Sequence, residues 1–215
     1  MRKIPTVFKR DPDDRAHVLP VVNPDCQWVL NGEGTATRKY DGTCVRLDED
    51  GQWWARREVR PGKAMPANYM PVTTDPVTHK VMGWEPIEQS AFAKFHAEAV
   101  NWGDHPPAPL RPGTYELVGP KINGNPERRD EHWVLSHRNA PIIKAPDRSF
   151  GAIRALVLRL HEEAGCEGIV FHHPDGRMAK IKARDFEVMP YTVTCTCDCP
   201  ECAGGHGCCD GEASR

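Results

Sequence analysis

The sequence predicts an α+β fold in which antiparallel sheets are flanked by a few helices. Three observations lead there. Segments rich in β-branched and aromatic residues, bounded by Gly, Pro, Asn and Asp, dominate the chain. Only two stretches carry the apolar period of a helix, roughly 3.6 residues. Those two are interposed among the strand segments instead of alternating with them one for one, which argues against a parallel βαβ architecture.

Taken in order, residues 1–27 read as an extended lead-in, because Arg10 to Pro24 is rich in Pro, Asp and charge. Residues 28–190 hold the globular domain. From Trp28 to Trp54 the pattern turns β-like: Thr37, Tyr40, Thr43, Val45 and Leu47 favour a strand, and Asp48-Glu49-Asp50-Gly51 is a turn signal before Gln52 to Arg56. The expected hairpin carries Lys39 near the start of its first strand and ends its return strand at Arg56-Arg57. Residues 61–86 hold several prolines and little periodicity, and read mostly as loop. Glu88 to Trp102 reads as a helix with Phe92, Phe95, Ala99 and Trp102 on one face. Pro106-Pro107-Ala108-Pro109 stops it. Gly113–Val118 and Trp133–Ser136 read as strands around a Gly/Asn/Pro-rich loop, Pro120 to Arg129. Trp133 reads as a base-stacking or a core residue, with the core favoured because a strand tryptophan usually buries. Ser149 to Ala164 reads as the second helix, striped by Ile153, Leu156, Val157 and Leu160, with Gly165 just past its end. Gly168–Phe171 and Met178–Lys182 form a last hairpin around Pro174-Asp175-Gly176.

Composition narrows the function classes. A chain of 215 residues with 39% hydrophobic content suits one globular domain with a small appendage, read here as a monomer. The net charge of −2 means that a nucleic-acid partner must meet a local basic surface. Lys and Arg gather at the N-terminus, at Arg56-Arg57-Arg60-Lys63, and from Lys121 to Arg129. No apolar run approaches the roughly 20 residues of a membrane helix, and no secretory signal follows Met1. A cytoplasmic, reducing location is therefore expected, with Cys26, Cys44 and Cys166 as free core or strand residues.

Lys39-Tyr40-Asp41-Gly42-Thr43 is the stretch that carries chemistry. A neutral lysine is a good nucleophile, but an ordinary one at pH 7 spends about 4.6 kcal/mol losing its proton. Nearby cations or desolvation lower that cost. Arg56, Lys180 and Lys182 are candidates for that role, and the same charges suit a triphosphate and its leaving group. A carboxylate such as Glu167 suits Mg²⁺ (or Mn²⁺), which prefers oxygen ligands. Gly42 allows a tight bend and close approach of a phosphate.

The five segments Lys39 to Thr43, Arg56-Arg57, Tyr115 to Gly119, Glu167 to Phe171 and Lys180-Ile181-Lys182, in this order, resemble the covalent nucleotidyltransferases: nucleic-acid ligases and mRNA-capping enzymes. Within that superfamily, Lys39 to Cys44, Arg56-Arg57-Glu58-Val59 and Glu116 to Pro126 most resemble the small stand-alone ATP-dependent 5′–3′ RNA ligases of the vertebrate type. The resemblance implies a nucleotidyltransferase domain (the ATP-grasp-like ligase adenylation fold) and an RNA ligase that joins a 5′-phosphate to a 3′-hydroxyl through lysyl-AMP. It implies Lys39 as nucleophile, Asp41 and Gly42 completing its motif, and Arg56, with Arg57 as rival, as the basic residue of the next segment. Glu116 corresponds to a ribose contact, Glu167 to the metal and second-step glutamate, and Lys180 and Lys182 to the phosphate-binding pair. DNA ligases place an arginine where Cys44 stands, so Arg46, on the same strand face, is the substitute candidate for ribose or RNA. Lys121, Arg128 and Arg129 are candidates for the RNA backbone. Fewer than thirty residues follow Glu187, too few for the barrel that capping enzymes and most DNA ligases carry. Two other readings stay open: a nucleotidyltransferase acting on DNA ends or protein, and a catalytically idle RNA-binding module of the same fold.

Residues 191–215 are the appendage. Cys195, Cys197, Cys199, Cys202, Cys208 and Cys209 crowd there with His206. Cys199 and Cys202 have the spacing of a zinc half-site, without a second separated pair. The tail reads either as a Zn²⁺ knuckle or as disordered and reduced.

Overall fold

The computed structural model describes residues 3–101 and 109–186. The architecture is α+β with antiparallel sheets. A three-stranded sheet is built, in order, from Met178–Lys182 (β11), Gly168–His172 (β10) and Thr35–Lys39 (β3), and a six-stranded sheet from Met70–Thr74 (β6), Val81–Pro86 (β7), Trp53–Val59 (β5), Thr43–Leu47 (β4), Gly113–Val118 (β8) and Trp133–Ser136 (β9). A two-stranded ribbon at the N-terminus pairs β1 (Phe8–Arg10) with β2 (Val18–Val22).

The N-terminal segment is thus extended, but paired and docked. The Val7 N–H donates to Lys180 O, and the Lys180 N–H donates to Pro5 O, so the segment zips along β11 (Met178–Lys182). Val7 and Phe8 are buried against Ile153, Val157, Phe171 and Ile181. That apolar pair, placed before the charged stretch, explains why the lead-in belongs to the core. A short helix α1 (Gln27–Leu30) follows and buries Trp28 and Val29.

The expected first hairpin is divided between the two sheets. β3 (Thr35–Lys39) pairs with β10 (Gly168–His172), whereas β4 (Thr43–Leu47) pairs with β5 (Trp53–Val59) and β8 (Gly113–Val118). Lys39 therefore ends one strand instead of starting the next. Arg56 and Arg57 fall inside β5, which runs on to Val59.

Residues 61–86 are not mostly loop. They contribute β6 (Met70–Thr74) and β7 (Val81–Pro86). β6 tolerates Pro71 because it is an edge strand with an irregular register between Pro71 and Thr73. β7 is interior, buries Gly83, Trp84 and Glu85, and ends at Pro86.

α2 is shorter than its apolar stripe suggests: a 3₁₀ turn over Ile87–Gln89 precedes the helix Ala93–Val100. Phe92, Phe95 and Ala99 pack on Val45, Ala55, Tyr115 and Leu117 of the larger sheet. Trp102 and Pro106–Ala108 lie outside the described residues. β9 (Trp133–Ser136) is an edge strand, and Trp133 is 43% exposed instead of buried.

α3 (Phe150–Ala164) forms as expected. The Ser149 hydroxyl accepts from the Ala152 N–H, and Gly165 is left-handed at φ +58°. Its Ile153 and Val157 cover Ile169, Phe171, Ala179 and Ile181, the core face of the smaller sheet. Each sheet thus has one face under a helix. The opposite faces of the two sheets meet around a shared cavity. Among the described residues no helix is long and apolar enough to cross a membrane.

Candidate active site

Strand alternation decides which side chains enter the cavity. In the smaller sheet the register places Lys39 beside Gly168 and Lys182, Thr37 beside Val170 and Lys180, and Thr35 beside His172 and Met178. These residues, Gly168 excepted, line the cavity, while Ala36, Ile169, Phe171, Ala179 and Ile181 point into the core. Gly168 supplies the close approach: a Cβ there would stand 2.1 Å from Ile181 O. The larger sheet contributes Cys44, Arg56, Glu58, Thr114 and Glu116 from its cavity face.

The link Tyr40-Asp41-Gly42 crosses from one sheet to the other. Gly42 is required there by the protein itself, since a Cβ would come within 2.2 Å of Leu117 O. That is a different reason from the phosphate approach expected of it. The cavity has a volume of about 1150 Å³, at or above the upper end of ordinary small-molecule sites.

Lys39, Glu167 and Lys182 form one ionic cluster. Lys39 Nζ donates to Glu167 Oε2 and to Tyr40 O, and Lys182 Nζ donates to Glu167 Oε1. Glu167 is buried, which alone would raise its pKa. The two lysines outweigh burial and hold it below the ordinary carboxylate range. Lys39 thus lies beside Glu167 and Lys182, as expected, and the carboxylate holds its amine directly.

The Lys180 amine is pushed down to a pKa of about 8 by burial and then by Lys182, Lys39 and Arg56. Asp41 is shifted upward, first by burial and then by the charge of Glu167. Asp41 and Glu167 both offer the oxygen donors that Mg²⁺ prefers, and both Glu167 oxygens are taken here by Lys39 and Lys182.

Arg56 enters the cavity and its Nε is buried without a hydrogen-bond partner. A buried, unpaired guanidinium N–H is costly, and an anionic ligand would satisfy it. Arg57 alternates to the other face and lies 3.7 Å from Glu85, so of the two arginines Arg56 is the one that lines the cavity. Arg46 shares a strand face with Cys44 but does not line the cavity; it sits beside Trp54 and Thr114 in the sheet.

Glu116 is buried; its Oε1 accepts the Gly42 N–H at 3.1 Å, and its Oε2 lies 3.0 Å from His137 Nε2. His137 Nδ1 is in turn 3.0 Å from the Thr114 hydroxyl. Donor atoms of Cys44, Glu116 and His137 lie within 4.8 Å of one another, close enough to hold a metal ion. Burial, then Glu116, pushes the Cys44 thiol up to about 12.

Lys121, Arg128 and Arg129 are exposed and do not line the cavity. Their own loop instead sends Asn123 and Glu127 inward. Glu127 Oε1 accepts the Asp41 N–H at 2.9 Å and Asn123 Nδ2 donates to Gly42 O at 2.8 Å. These two residues and His137 were not singled out from sequence. A single acid within the cation-rich run Lys121 to Arg129 was the available signal for Glu127. Cys199, Cys202 and the rest of the cysteine tail lie outside the described residues. No protein-family model matches the chain, and no curated protein matches it.

Proposed function

We propose that the chain is an ATP-dependent nucleotidyltransferase of the RNA ligase type, which joins a 5′-phosphate to a 3′-hydroxyl through AMP carried on Lys39. The observation that carries this reading is the convergence on one cavity of the Lys39 amine, the Lys180 and Lys182 ammonium groups, the unpaired Arg56 Nε and the buried Glu116. Such a set suits an adenosine triphosphate, with phosphate-binding lysines on one wall and Arg56 and the Glu116 carboxylate on the other. The fold itself is read as the nucleotidyltransferase adenylation domain.

In the first step Lys39 gives up an ammonium proton, for which Glu167 is the adjacent acceptor. The amine then attacks the α-phosphorus, a P–N bond forms, and the bond to pyrophosphate breaks. Arg56, Lys180 and Lys182 hold the phosphates and offset charge on the leaving group. Mg²⁺ at Asp41 and Glu167 would supply further charge neutralisation at the phosphates. The AMP then moves to the 5′-phosphate of an RNA end, releasing Lys39. Attack by a 3′-hydroxyl on that phosphate expels AMP and seals the strand. Exposed Lys121, Arg128 and Arg129 offer a basic surface for the RNA backbone.

The test uses ATP labelled in its α-phosphate together with Mg²⁺. Covalent label on the protein, and sealing of 5′-phosphorylated RNA in preference to DNA of the same sequence, are the expected results. Label with transfer to DNA or to protein alone would move the assignment to those acceptors. No label would favour an idle binding module.

A further inference from the structure

We propose that Glu127 is a positioning residue that sets the nucleophile, and that the loop 120–129 exists chiefly to deliver it; this rests on the adenylylation reading above. The ladder of the smaller sheet ends at Lys39 and that of the larger sheet begins at Thr43. The backbone groups of the intervening link therefore have no strand partner, and something else must satisfy and fix them.

The Glu127 side chain is 2% exposed. Its Oε1 takes the Asp41 N–H at 2.9 Å, and its Oε2 takes Arg38 Nη2 at 2.9 Å. One carboxylate thus grips the residue before Lys39 and the second residue after it. Asn123, from the same loop, holds the Gly42 carbonyl.

The loop is built to keep this grip. Ile122 is fully buried and anchors one end. Asn125 and Arg129 exchange a pair of 2.9 Å bonds that close the other. Asn123, Asn125 and Arg128 all take left-handed backbone, at φ 49°, 62° and 50°. Such strain persists only where the surroundings over-determine it, and it concentrates at functional sites.

The test compares Glu127→Gln, Glu127→Ala and Asn123→Ala by the rate of covalent labelling from ATP in single turnover. Glu127→Gln keeps an acceptor for the Asp41 N–H and loses the charge on Arg38; Glu127→Ala loses both. The expected order of rates at saturating ATP is wild type, then Gln, then Ala, with a fall of about 10–100-fold for Ala, as for a misplaced reacting group. The half-saturating ATP concentration stays near the wild-type value, because no ATP contact is removed. Amide exchange at Asp41 quickens in the same order.

Should Glu127→Ala fail to fold, Glu127→Gln and Asn123→Ala give the same split between rate and half-saturation. A merely structural role would lower the melting temperature and leave the maximal rate per folded molecule unchanged, and that result overturns the proposal. So does a variant that only raises the half-saturating ATP concentration. If wild type takes label and the variants match it, this inference alone fails. If wild type takes no label, the adenylylation reading fails and carries the inference down with it.

Discussion

The two sheets that face the cavity are built alike and equipped differently. Each buries one face under a helix, α3 over the smaller sheet and α2 over the larger. On the open face the smaller sheet presents Lys39, Lys180 and Lys182, the first and last of them held by Glu167 where β10 begins. The larger sheet presents one arginine and the buried Glu116, already engaged with Gly42 and His137. On the reading proposed above, the smaller sheet is the charge-bearing, reacting wall and the larger one the recognition wall. One covalent link between them at the site is Tyr40-Asp41-Gly42, directly after Lys39; a second is the stretch from His137 to Ile142, which leads from β9 to a bridge with Thr37 of β3. Small shifts of one sheet against the other therefore act directly on Lys39.

The largest effect is expected from breaking the ionic cluster of the reacting wall. Glu167→Ala leaves Lys39 and Lys182, whose side chains are 19% and 13% exposed, without their shared anion. Loss of one partner from a buried pair costs about 3 kcal/mol. Urea unfolding checks this, and a change under about 1 kcal/mol would show that solvent already screens the cluster. On the recognition wall, Arg56→Ala weakens ATP binding by about tenfold, one charge-assisted bond of about 1.5 kcal/mol. Arg57→Ala, on the opposite strand face, leaves it unchanged. Equal losses in a calorimetric titration would break the strand-alternation assignment.

The smallest and sharpest effect is in pH. Lys180, with its pKa lowered to about 8, is charged below that value and neutral above it. Its contribution to phosphate binding is present at low pH and fades as pH rises through about 8. The apparent dissociation constant for ATP should climb across that interval, and Lys180→Arg should flatten the rise. A profile without inflection there would remove Lys180 from the phosphate site. The same lowered pKa means that the unfolded chain binds more protons between about 8 and 10.5, so stability rises with pH over that window.

Much of this arrangement was legible in the residues. α3, β8, β9 and the last hairpin follow directly from apolar period and turn chemistry, and the alternation of Lys180-Ile181-Lys182 predicts both lysines on one face. What escaped has identifiable causes. The break between β3 and β4 has no local signal, because Thr37 to Leu47 reads as one continuous strand; the crossing is marked by Gly42, where a Cβ would come within 2.2 Å of Leu117 O. β6 and β7 were hidden by Pro71 and Pro86, which are tolerated at an edge and at a strand end. Trp133 surfaces because β9 is an edge strand. Glu127 was masked by its basic neighbours, since its partners, Arg38 and Asp41, are 89 and 86 residues away in sequence.

Two lysines compete for the role of nucleotide carrier. Lys39 has the proton acceptor and the place beside the crossing, and Lys180 has a pKa lowered to about 8. Peptide mapping by mass spectrometry, after incubation with ATP and Mg²⁺ and without RNA, decides between them. An AMP adduct on Lys39, absent in Lys39→Ala, is the predicted result. An adduct on Lys180, or none on any lysine of the cavity, would contradict it.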